Sequence, residues 1–103
     1  MKLRLVRLDD VVTTNSFDVD RLPIVIGSSD DARVRVRDAA VSSFHCSIAK
    51  QSGRLIVRDL GSAHGTFLNG YRVRESLLRD GDRVRVGGAL FRTEFDSVAT
   101  API

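Results

Sequence analysis

The stretch DLGSAHGTFLNGYRV, residues 59–73, sets turn chemistry between short apolar runs. Asn69-Gly70 is the strongest short-range signal for a type I′ turn, whose two central residues both need positive φ. It separates TFL from YRV and predicts a hairpin of two short strands. Just upstream, Ser62, Ala63, His64 and Gly65 are small or polar and read as a loop feeding the first of those strands. Working outward, most of the chain keeps a two-residue period. KLRLVRL (2–8) starts with Leu3 and Leu5 against Arg4, RLPIVIG (21–27) is a dense apolar run ending at Gly27, and RVRVR (33–37) puts Val34 and Val36 opposite its arginines. FHCSIAK (44–50) and RLIVRDL (54–60) flank the turn QSG, and DRVRVGGALFRTEF (82–95) makes a last pair around Gly87-Gly88. VRESLLRDGD (73–82) comes nearest to a helical repeat and breaks at Gly81. Many short strands between turn residues predict an all-β sandwich or barrel.

The chain has 103 residues, of which 43% are hydrophobic and 28% charged, which suits one globular domain. That domain is expected over 1–96, with the small, polar end 97–103 as a flexible C-terminal tail. No apolar run approaches a membrane span, and the alternating start lacks a signal peptide's apolar core. Cys46 is the single cysteine, so no internal disulfide forms and a reducing, cytoplasmic setting is expected. The net charge is +3, and apart from Lys2 and Lys50 every basic residue is an arginine. Alternation assigns these arginines, Arg33 and Arg35 included, to the solvated faces of strands.

Two polar clusters stand out: Ser42, Ser43 and His45, and then Asp59, Ser62 and His64. They contain the residue types of a Ser-His-Asp triad, but GSAHG is not the G-x-S-x-G elbow, and a domain this small leaves little room for a substrate cleft with an oxyanion hole. No enzyme activity is expected. His45, Cys46 and His64 are the soft ligands available for a metal, and neighbours along a strand point to opposite faces, so no metal or other cofactor is expected. What remains is a binding loop. Hydroxyls, glycine N–H groups and asparagine amides on a rigid scaffold suit an anion or an extended peptide. The plainer alternative is that Gly65, Asn69 and Gly70 only shape turns.

The ordered blocks IVIGSSDDARVRV, VSSFHCSI, LIVRDLGSAHGTFLNGYRV and LRDGDRVRVGGALFRTEF resemble a forkhead-associated (FHA) domain over residues 2–96. The resemblance implies a β-sandwich of about eleven short strands whose loops at one end recognise phosphothreonine in a protein partner. It implies phosphopeptide contacts from Ser28, Ser42, Ser43, Ser62, Ala63, His64 and Asn69. Gly27, His45, Gly65, Thr66 and Gly70 would shape the loops, with His45 bracing them from behind. Asn69 and Gly70 would share the binding rim with Ser62, Gly65 and Thr66.

The departures from the family pattern bear on function. Ser28 stands where the family carries a phosphate-binding arginine after the strand-ending glycine, and His64 stands where it carries an asparagine that holds the peptide backbone. Ser43 and Ala63 also differ from the common residues, whereas Ser42 is kept. Asp30 and Asp31 add negative charge close by in sequence. Two functions follow: a phosphothreonine reader with partly lost contacts, or a module that binds a partner or itself without phosphorylation. Nucleic-acid binding through the arginine faces is a remote third, because no strand interleaves aromatic and basic residues. No membrane partner is expected.

Overall fold

A computed structural model describes residues 2–9 and 16–95. They form strands β1 (Leu3–Arg7), β2 (Ser16–Val19), β3 (Ile24–Gly27), β4 (Val34–Arg35), β5 (Cys46–Gln51), β6 (Arg54–Asp59), β7 (Thr66–Leu68), β8 (Tyr71–Val73), β9 (Glu75–Leu78), β10 (Arg83–Val86) and β11 (Ala89–Phe95). One sheet has the order β2-β1-β11-β10-β7-β8 and the other β4-β3-β5-β6-β9. All pairings are antiparallel except β3 with β4. The tail expected at 97–103 lies outside the described residues.

Period-two patterning becomes a core in the simplest way. Leu3 and Leu5, Ile24 and Ile26, Leu55 and Val57, and Val84 and Val86 all point between the sheets and are buried. Each such side chain contributes about 1.5–3 kcal/mol. Phe91 is fully buried and meets Phe17 edge to face at 6.1 Å. Asn69 and Gly70 have φ of 50° and 89°, as the hairpin reading requires.

Two strands lie where the alternation marks none. The VRESLLRDGD segment is not helical: Glu75–Leu78 pairs with β6 and extends that sheet. Strand β2 has only Phe17 and Val19 facing inward and sits at a sheet edge on β1, too short for its alternation to stand out.

Candidate functional site

Strand pairing brings four connections to one end of the sandwich: those after β3, before β5, between β6 and β7, and between β10 and β11. Backbone bonds sew them together. Ser28 N–H donates to Ser42 O at 3.0 Å, Ser29 N–H to Ser43 O at 3.1 Å, and Leu60 N–H to His45 O at 2.9 Å. Gly27 is needed for this closeness, since a Cβ there would fall on the carbonyl of Ser43. Asp38 adds a further tie by accepting from Gly88 N–H at 2.8 Å.

His45 is fully buried behind the loops. Its Nδ1 accepts from Ser42 N–H at 3.1 Å, which leaves Nε2 protonated to donate to Gly65 O at 2.8 Å. The ring therefore joins the loop before β5 to the loop before β7. Gly65 has φ of 91°, and Arg72 lies over it, Nε 2.6 Å from the place a Cβ would take.

Asp59 organises the 60–65 loop from one carboxylate. Oδ2 accepts from the N–H groups of Gly61 and Ser62, both at 3.1 Å, while Oδ1 accepts from Ser62 Oγ at 2.6 Å and Thr66 Oγ1 at 2.7 Å. Burial pushes the Asp59 carboxyl upward, but the hydroxyls of Ser62 and Thr66 and the two N–H groups outweigh it and hold the carboxyl below its ordinary value. The unfolded chain thus takes up this proton first as pH falls. The stabilisation is complete above about pH 4 and is lost as pH drops through the lower folded value. The melting-temperature gap between wild type and Asp59→Asn is expected to be widest near neutrality and to narrow below about pH 4. A gap constant across that range would show that the carboxylate charge is not what orders the loop.

The expected contact residues divide by what they are already doing. Ser62 Oγ is committed on both sides, donating to Asp59 and accepting from Gly65 N–H at 2.9 Å. Ser42 Oγ accepts from Ala63 N–H at 3.1 Å, and its own proton has no acceptor among the described residues. The hydroxyls of Ser28 and Ser43 and the ring of His64 likewise have no partner among them, and Ser43, Ala63 and His64 are exposed. Asn69 and Gly70 are not brought to this end. They lie at the far tip of β7, about 10 Å along the strand, where Asn69 donates to Asp82 Oδ1 at 3.0 Å and accepts from Arg83 N–H at 2.9 Å. Turn geometry put Asn-Gly where β7 ends, whereas the clustered loops lie where β7 begins.

Arg35 stands on a solvated face as expected, and from there it engages the loop after β3. Beside Gly27 in the parallel pairing, it folds back so that Nε donates to Ser28 O at 3.1 Å and Nη1 meets Asp30 Oδ1 at 2.7 Å. No triad assembles, because Ser62 is bonded to the carboxylate and not to a histidine, and both nitrogens of His45 face backbone. Cys46 is buried and its thiol is pushed up to about 12 by desolvation, which makes it a packing residue. His45 beside it is buried too, since it enters the loop end while Cys46 enters the core. No group of three or more metal-ligating side chains occurs among the described residues, and no helix there is long and apolar enough to cross a membrane.

The family model for the FHA domain matches residues 24–87. The chain belongs to the FHA domain family. The matched FHA segment covers the first three of the four loops and ends at Gly87, within the last. The FHA domain-containing protein FhaA of Mycobacterium tuberculosis is 38% identical over 63 residues, 61% of this chain and 12% of that protein. An ABC transporter ATP-binding/permease protein of the same organism is 37% identical over 62 residues, 60% of this chain and 7% of that protein. The chain thus spans a small fraction of either curated relative. A solved FHA structure, from a structural and functional analysis of phosphothreonine-dependent FHA domain interactions, superposes with a TM-score of 0.84 at 27% identity, covering 93% of this chain and 98% of that one. An all-β FHA sandwich is therefore the fold.

Proposed function

We propose that this FHA domain is a non-catalytic cytoplasmic module that reads phosphothreonine in an extended segment of a protein partner. The observation that carries the reading is the free proton of Ser42 Oγ together with a guanidinium bonded to Ser28 O, Ser28 itself being paired to Ser42 through the backbone. Phosphothreonine brings about −1.5 to −2 charges and three acceptor oxygens, which suit a hydroxyl donor and an arginine fork. Arg35 takes over the charge that the family places at position 28. Its Nε stays on Ser28 O while the outer N–H groups turn from Asp30 to phosphate. Asp30 is 82% exposed, so releasing it costs little. Ser28, Ser43, Ala63 and His64 frame the peptide around this contact.

A second reading rests on the same pair: Asp30 already neutralises Arg35, as it would in a domain that binds its partner without phosphate. Titration with a degenerate peptide library fixed at phosphothreonine, and with its unphosphorylated twin, separates the two. The phosphorylated library is expected to bind more tightly. Arg35→Ala should weaken that binding by roughly tenfold or more, the loss of one bond to a charged group, and Asp30→Ala should strengthen it severalfold. Equal binding of both libraries would leave the phosphate-independent function.

A further inference from the structure

The outer face of the six-stranded sheet carries a charge pattern that the loop end does not use. Registers align Arg72, Phe67, Arg85 and Leu90 as consecutive neighbours across β8, β7, β10 and β11, with Leu8 next in line opposite Leu90. The adjoining row is Arg83, Arg92 and Val6. Basic and apolar side chains therefore interleave across the strands, a pattern invisible along any one of them. Arg83 and Arg92 stand directly opposite, an arrangement that like charges disfavour.

The acids on this face do not compensate. Glu94 is taken by Arg92 at 2.7 Å and Asp18 by Arg4 at 2.9 Å. Arg72, Arg83 and Arg85 are exposed and have no side-chain partner among the described residues. Arg83 and Arg85 border a hollow of about 420 Å³ with Asn69, Gly70 and Leu90. Phe67 and Leu90, both half-buried, give the hollow's surroundings an apolar floor.

We propose that this face docks an acidic segment of a partner protein, carboxylates on Arg72, Arg83 and Arg85 and an apolar side chain against Phe67 and Leu90. The row spans about 14 Å across the strands, the length of four or five extended residues. Charge complementarity selects the occupant: an anionic chain supplies the counter-charges that Arg72, Arg83 and Arg85 lack among the described residues. The surface is also continuous with the loop end, because Arg72 reaches over Gly65. A partner bound at the loops as proposed above can extend directly onto it, yet the docking chemistry needs no phosphate. Single-stranded nucleic acid, the other polyanion, fits less well, since stacking needs several exposed rings and this face has one half-buried phenylalanine.

The experiment uses four probes: an acidic peptide of alternating Asp and Glu around one leucine, a phosphothreonine library with and without that segment attached, and a thymidine oligonucleotide. Binding is followed by anisotropy and by NMR of the arginine Nε–H and backbone amide signals. The free acidic peptide is expected to shift signals of Phe67, Arg85 and Leu90 and to leave Ser42 and Ala63 still. Attachment of the segment should tighten phosphopeptide binding by about tenfold at low salt, an advantage that shrinks as salt screens it. Arg83→Glu with Arg85→Glu should abolish both effects at an unchanged melting temperature, and paired lysines should keep most of them. If the acidic peptide leaves the Phe67 and Leu90 signals unmoved, or if the double variant binds it equally, the docking face is refuted. Tighter binding of the oligonucleotide at this face would likewise overturn the protein partner. The free-peptide arm decides the matter even if the phosphothreonine arms show no phosphate preference, so the two proposals fail separately.

Discussion

Ser28→Arg combined with His64→Asn is expected to strengthen phosphothreonine-peptide binding by more than about tenfold, with little change for the unphosphorylated peptide. The backbone at 28 is already fixed, by its N–H on Ser42 O at 3.0 Å and by the close pass of Gly27 under Ser43. An arginine there starts from a set position and presents a fork of donors toward Ser42. Asparagine at the exposed position 64 offers a donor and an acceptor to a peptide backbone at once, which one neutral imidazole presents only with a different geometry. Two such bonds at about 1–2 kcal/mol each sum to about 2–4 kcal/mol. Repulsion between the new arginine and Arg35 subtracts from this until phosphate arrives to be shared. Calorimetry on wild type and double variant with paired peptides is the measurement. A folded variant that gains equally for both peptide forms would mean that the loop end does not hold a phosphate.

His45→Ala should cost the domain about 2–4 kcal/mol, a drop in melting temperature on the order of 10–20 °C. The substitution strips partners from Ser42 N–H and Gly65 O and leaves a void at a fully buried position. Peptide binding should weaken as a consequence, because both tethered loops lose their brace. Thermal denaturation beside the binding titration distinguishes cause from consequence. An unchanged melting temperature with lost binding would make His45 a ligand contact instead of a brace.

The fold was legible because the alternation is strict where it matters. Val34 and Val36, Leu55 and Val57, and Val84 and Val86 could face the core in only one register. Asn69-Gly70 located the hairpin without help from packing, yet its distance from the rim depended on which end of β7 carries the site. Ser42 and His45 were readable as residue types, whereas the difference between Ser42 and Ser62 lay in which hydroxyl was already committed. That is a property of tertiary hydrogen bonding. Asp59 had a local signature, an acid three residues before a serine in a glycine-bearing loop, which is the pattern of a side chain that caps its own turn. Strand alternation rightly placed Arg35 in solvent, as it did Arg33, and only the parallel pairing with β3 shows which of the two lies beside Ser28. The interleaving of Arg72, Phe67 and Arg85 was hidden for the same reason, because cross-strand neighbours are remote in sequence.

Leu3 and Phe95 are register partners, and both lie at the end of β1 and β11 remote from the loops. Strand β11 alone separates Phe95 from the Gly87-Gly88 reversal by its seven residues, about 20–25 Å. Both points of attachment for any flanking chain therefore lie on the side of the sandwich away from the loops. A threonine on such a flank must travel back over that distance before it can present itself, which takes about seven extended residues even by the straightest route. Self-engagement is therefore a question of tether length. Within about seven residues of either end the effective concentration of a flanking threonine is nil, and beyond that it passes through a maximum and decays as the tether grows. The same geometry lets two or more copies on one chain, or a domain hung from a larger assembly, offer their loops outward without steric conflict at the point of attachment.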